Sequence, residues 1–158
     1  MKFPLFSYLV RLLTFSLIVF SYPIPSLAAG SAKLTVALSD NPITVGNQFK
    51  ATVNADITGF TAGSVEFQVN YDSTKLDYQS SDDSSSAFPD TFSTVATNGS
   101  VFFGRSTNFS GATGGVKVIG LNFKSKSAGT VKISLSRAAI YELRTGITES
   151  LYTSGATV

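Results

Sequence analysis

Between Phe49 and Ile57 the chain alternates apolar and polar residues without exception: Phe49, Ala51, Val53, Ala55 and Ile57 against Lys50, Thr52, Asn54 and Asp56. A period of two marks a strand with one buried and one wet face, and a helix would scatter the same residues around its axis. The period returns over residues 65–71, where Val65, Phe67, Val69 and Tyr71 alternate with Glu66, Gln68 and Asn70. That strand runs into Asp72-Ser73-Thr74, whose side chains hydrogen-bond nearby backbone and favour a turn, and alternation resumes at Leu76 and Tyr78. Residues 65–78 are therefore two strands joined by a polar turn, and the rest of the chain reads as strands packing against them.

Leu34, Val36 and Leu38 form an earlier strand, ended by Ser39-Asp40-Asn41-Pro42. Residues 59–63, with glycine at both ends, read as a loop, and the Ser/Asp tract over 80–90 as a surface loop without buried periodicity. Asn98-Gly99 between the apolar runs 92–96 and 100–105 predicts a tight hairpin. After a glycine-rich loop at 108–115 come strands over 116–125 and 130–136, turned by Ala128-Gly129. Residues 138–143 fit a helical turn or a strand equally well, and the tail holds one strand near Leu151 and another from Gly155. Eight or nine short strands with no convincing helix predict an all-β fold, an antiparallel β-sandwich.

Residues 1–29 have the layout of a secretory signal peptide: Lys2 and Arg11, an apolar run over 12–20, and the small-residue exit Ser26-Leu27-Ala28-Ala29. The run is too short to span a bilayer, so membrane contact is expected only through this segment if it stays uncleaved. The expected destination is outside the cell. The whole chain has twelve Lys and Arg against ten Asp and Glu; two of the twelve are Lys2 and Arg11, which leaves residues 30–158 formally neutral. No basic cluster suited to nucleic acid follows, and Lys124 and Lys126 read as an edge-protecting pair. With no cysteine, a hydrophobic core must hold the exported domain unaided.

The chain has no histidine and no cysteine, which rules out Ser-His-Asp triads, cysteine nucleophiles and ordinary zinc sites. Asp82 and Asp83 are adjacent rather than set across a cleft as a glycosidase needs, and the glycines at 111–115 lack a phosphate-binding lysine. An enzyme is not expected, nor a cofactor. Asp72, Asp77, Asp82, Asp83 and Asp90 offer oxygen ligands but no D-x-D-x-D-G loop, so no metal site is expected. Asn98-Gly99-Ser100 and Asn108-Phe109-Ser110 match the N-glycosylation pattern and read as turns.

From about Ala32 onward the chain resembles the cohesin family, the receptor modules of cellulosome scaffolds. The resemblance rests on an ordered set: V-G-N-Q-F at 45–49, Y-D-S-T-K-L-D-Y at 71–78, G-S-V-F-F-G-R at 99–105, L-N-F-K-S-K-S-A-G-T at 121–130 and the closing S-G-A-T-V. Ser73 departs from the family's usual proline after tyrosine-aspartate, and at Val158 the family's last strand would still be under way. Residues 30–158 are thus expected to be either a fragment of a longer scaffold or a small free-standing domain. The resemblance implies a nine-stranded jelly-roll sandwich, no catalysis, and binding through one sheet face to a dockerin-type domain that carries calcium itself, in extracellular polysaccharide breakdown or cell-surface assembly.

The expected contact surface is the wet side of the 65–71 strand, Ser64, Glu66, Gln68 and Asn70, with a contribution from residues 100–105. If Phe102 faces the core, alternation turns Phe103 and Arg105 outward, and those two complete the candidate site; the opposite phase would expose Phe102. Two other functions stay open. One is a carbohydrate-binding module, against which the lack of tryptophan counts. The other is a structural pilus or surface-layer domain.

Overall fold

A computed structural model describes residues 30–39, 42–143 and 150–152. The expected leader over 1–29, Asp40 and Asn41 of the first turn, and the strand expected from Gly155 lie outside the described residues. Among the described residues the elements are all strands: β1 (Ser31–Leu38), β2 (Gln48–Asn70), β3 (Leu76–Asp82), β4 (Asp90–Thr97), β5 (Ser100–Ser106), β6 (Ala112–Ser125), β7 (Ser134–Glu142) and β8 (Ser150–Tyr152).

The two alternating runs that dominate the sequence are halves of one 23-residue strand, β2. Its first half pairs antiparallel with β1 and β6, and its second half with β5 and β7. β3 extends the first layer beyond β6; β4 extends the second beyond β5, and β8 beyond β7. The sheet thus curls on itself into an antiparallel β-sandwich of jelly-roll type, with β2 serving both layers. The loop expected at 59–63 is instead a bend inside β2. Gly59, at φ +83°, makes the turn in a region open to glycine, and Ala62 is already paired with Ala112 and Glu142.

Inward residues from both layers form one core. Phe49 and Val53 from the first half of β2 belong to the same buried cluster as Phe67 and Val69 from the second, together with Phe103, Ile119 and Ile140. Phe123 is the aromatic hub, its ring centroid 5.8 Å from Phe49, 5.2 Å from Tyr71 and 5.8 Å from Tyr78. Each such ring contributes about 1.5–3 kcal/mol by leaving water, and nothing covalent assists them.

Two further expectations change. The runs at 130–136 and 138–143 are not separate elements. Strand begins at Ser134 and continues through a bulge in which Arg137 and Ala138 together face Phe67, with Arg137 in the left-handed region at φ +48°. The tract over 80–90 is no free surface loop either. Asp82 ends β3 in ion pairs with Lys50 (2.7 Å) and Lys117 (3.4 Å), and Phe88 is wholly buried in the core.

Candidate binding face

The second layer, ordered β4-β5-β2-β7, presents the site. Val65, Phe67 and Val69 are fully buried, so alternation turns Ser64, Glu66, Gln68 and Asn70 to the outer face. Pairing sets Glu66 opposite Gly104 and Gln68 opposite Phe102 on one side, and Ser64 opposite Tyr141 and Glu66 opposite Ala139 on the other. The four sequence-predicted residues of β2 therefore do share one surface.

Phe103 and Arg105 do not join them. β5 pairs with β2 so that Phe103 faces Phe67 and Arg105 faces Val65, both on the core side. Phe103 is fully buried, and Arg105, 1% exposed, spreads its guanidinium under the chain that leads into β4. Nε donates to Phe88 O (2.8 Å), Nη2 to Pro89 O (3.1 Å) and Nη1 to Thr91 Oγ1 (2.9 Å), while Nη1 also pairs with Asp83 Oδ1 (3.0 Å). Arg105 is a structural brace. The outward ring of β5 is Phe102.

Phe102 has company that the sequence reading missed. Val95 lies opposite it on β4, and Phe92, in a bulge of the same strand, lays its ring against the Cα of Gly104, where any Cβ would collide with it. Phe92 is 56% and Val95 55% exposed. The Asn98-Gly99 turn held the signal: once Thr97 is set opposite Ser100, Val95 must face Phe102 and Thr94 must face Phe103.

Beside this apolar strip runs a polar ladder. Gln68 Nε2 donates to Asn70 Oδ1 (2.7 Å), Asn70 Nδ2 to Ser136 Oγ (2.8 Å), and Tyr141 Oη to Glu66 Oε2 (3.2 Å). Partial burial, and then the charge of Glu66, push the Tyr141 phenol pKa above its usual value, so it stays a neutral donor. At one end of the face a cleft of about 400 Å³ opens between Ser64, Asp90, Thr107 and Glu142.

Among the described residues no three carboxylate, histidine or cysteine side chains gather as a metal site would require. The aspartates read as possible oxygen ligands have mostly local partners: Asp72 accepts from Thr74, Asp77 from Gln79, Asp82 is held by two lysines, and Asp83 by Arg105. Lys50's ammonium first, and then Ser84, hold the Asp82 carboxyl far below the ordinary carboxylate range.

These features define a two-layer β-sandwich with a broad sheet face, part apolar and part polar. Its fold is that of the cohesin modules. The cohesin module of a family 33 glycoside hydrolase from Clostridium perfringens superposes with a TM-score of 0.65 at 15% identity, covering 82% of this chain and 96% of that one. The sixth cohesin of scaffoldin B from Acetivibrio cellulolyticus, solved in complex with a Cel5 dockerin, gives 0.58 at 18% identity, with 79% and 96% covered. A non-cellulosomal cohesin from the hyperthermophilic archaeon Archaeoglobus fulgidus gives 0.58 at 13% identity, with 80% and 88% covered. No family model matches the sequence, and no curated protein is similar to it in sequence.

Proposed function

We propose that this chain is an exported, non-catalytic protein-binding module that receives a dockerin-type domain on the outer face of β4-β5-β2-β7. The observation that carries the reading is the composition of that face: the exposed Phe92 and Val95 and the half-buried Phe102 form an apolar strip directly beside Glu66, Gln68 and Asn70. Rigid aromatic side chains flanked by hydrogen-bonding groups are the mix that anchors protein interfaces. The cohesin fold, seen in complex with a dockerin in the Acetivibrio cellulolyticus structure, supplies the class of partner. Calcium then belongs to the partner, and the setting is extracellular polysaccharide breakdown or cell-surface assembly.

The test is capture of calcium-loaded dockerins of several types on the immobilised protein, with and without chelator, and with cellulose and xylan as competing ligands. The expected result is chelator-sensitive capture of at least one dockerin, lost with Phe102→Asp. Capture of no dockerin, or retention on polysaccharide alone, would overturn the reading.

A further inference from the structure

The hairpin that joins β4 to β5 turns at Asn98-Gly99, and of the chain's seven asparagines only Asn98 precedes a glycine. Its side chain is exposed. Asn70 and Asn122 donate from their side chains to Ser136 Oγ and Ser80 Oγ, and Asn108 Oδ1 accepts from Ser110 N. Among the described residues the Asn98 side chain has no such partner. The Gly99 nitrogen has none either, although the carbonyl of the same residue accepts from Tyr71 N (2.9 Å) and holds the turn against the end of β2. Gly99 sits at φ +89° and carries no Cβ to screen its nitrogen from the side chain before it.

From this arrangement we infer that Asn98-Gly99 is a self-modification site, at which the asparagine converts without an enzyme to aspartate and isoaspartate. The Gly99 backbone nitrogen, once its proton has passed to hydroxide, attacks Asn98 Cγ. The N–Cγ bond forms, the Cγ–Nδ2 bond breaks, and the side-chain nitrogen leaves as ammonia with a proton from water. Water then opens the cyclic imide at either carbonyl. Opening at the backbone carbonyl leaves the chain running through Cγ, an isoaspartate with one extra methylene in the main chain. Opening at Cγ restores the ordinary backbone with an aspartate. The sum is amide plus water to carboxylic acid plus ammonia, with nothing oxidised or reduced.

The site matters because of what the turn holds. Thr97 and Ser100 close it with their hydroxyl oxygens 2.8 Å apart, and the register it sets places Val95 opposite Phe102 and Thr94 opposite Phe103. β4 has little else to fix it: seven of its eight residues are exposed, and among the described residues it pairs with β5 alone. An extra main-chain atom in a two-residue turn breaks the match between turn and strand twist on which such hairpins depend, and the new carboxylate adds charge to a neutral turn. Conversion therefore loosens β4 from β5 and disperses the strip of Phe92, Val95 and Phe102. It is a slow, one-way change in the outer face. The inference goes beyond the dockerin reading and does not rest on it.

Incubation of the purified protein at neutral and at mildly alkaline pH, followed by peptide mapping with mass spectrometry and enzymatic methylation of isoaspartate, tests it. The expected result is conversion at Asn98 ahead of every other asparagine, faster in the alkaline buffer because the deprotonated amide is the nucleophile. The rate should lie within about tenfold of that in a synthetic peptide of residues 94–102. Asn98→Gln, whose longer side chain closes the ring poorly, should form no isoaspartate at this turn. The converted fraction, separated by its added charge, should show faster amide hydrogen exchange over β4 and unchanged exchange over β2 and β6. An intact Asn98 while the peptide converts, earlier conversion at another asparagine, or isoaspartate at the turn of Asn98→Gln would each overturn the assignment. Protection of β4 equal to that of the unconverted protein would overturn the coupling between turn and strand. None of these outcomes bears on dockerin capture, so the two readings fail separately.

Discussion

Phe103 lies directly opposite Phe67 on the neighbouring strand, with ring centroids 5.5 Å apart and both rings fully buried. Its sequence neighbour Phe102 consequently points to the outer face, where it is half-buried. The two adjacent phenylalanines should answer oppositely to substitution. Phe103→Ala empties a core site and is expected to cost about 3–5 kcal/mol. Phe102→Asp, at a half-buried outer-face site, should cost clearly less, about 1 kcal/mol by urea denaturation, and abolish partner capture. Equal losses of stability would contradict the assignment of faces.

The phase of β5 is a good measure of what local sequence can and cannot convey. Alternation over Phe49–Ile57 and Val65–Tyr71 is legible because every second residue is apolar, so only one phase buries the right set. Across 101–105 the run V-F-F-G-R offers large side chains in both phases, and only the register with β2 chooses between them. The bend at Gly59 was hidden for a related reason. Glycines at 59 and 63 are local signals for a loop, yet long-range pairing through Ala62 carries the ladder on. Phe88 sits in a tract that looks solvated, and the group that fixes its backbone, Arg105, is seventeen positions away.

Arg105 should prove among the least replaceable charged side chains. Its fork satisfies the carbonyls of Phe88 and Pro89 together with Thr91, a geometry that a lysine ammonium does not reproduce. Arg105→Lys would strand at least one of these acceptors, at about 1–3 kcal/mol, measurable by urea denaturation and accompanied by new proteolytic cutting within 83–91. Asp83→Ala removes only the half-exposed partner and should cost less than about 1 kcal/mol.

Acid should weaken the fold partly through Asp82. Its folded-state pKa lies below the ordinary aspartate value of 3.8, owing chiefly to Lys50 and then Ser84. The stabilisation is therefore fully present above that ordinary value and is lost as pH falls from it toward the lower folded-state value. Melting temperature should decline below about pH 4. The decline should be shallower in Asp82→Asn, and a high-salt buffer should reduce the difference between the two proteins because the pair is partly solvent-exposed. An identical acid profile in the variant would remove Asp82 from the account.

Gly104 offers a way to disturb the proposed binding face without touching the core. A Cβ there would meet the ring of Phe92, which is more than half exposed and free to swing aside. Gly104→Ala should therefore change stability by less than about 1 kcal/mol while displacing the ring from its seat. If Phe92 contributes to capture from that seat, Gly104→Ala and Phe92→Ala should weaken it comparably. The double substitution should then be little worse than either one, since both remove the same contact. Fully additive losses in that cycle would mean that Phe92 and Gly104 act on the partner independently, and that the apolar strip does not depend on the ring lying over β5.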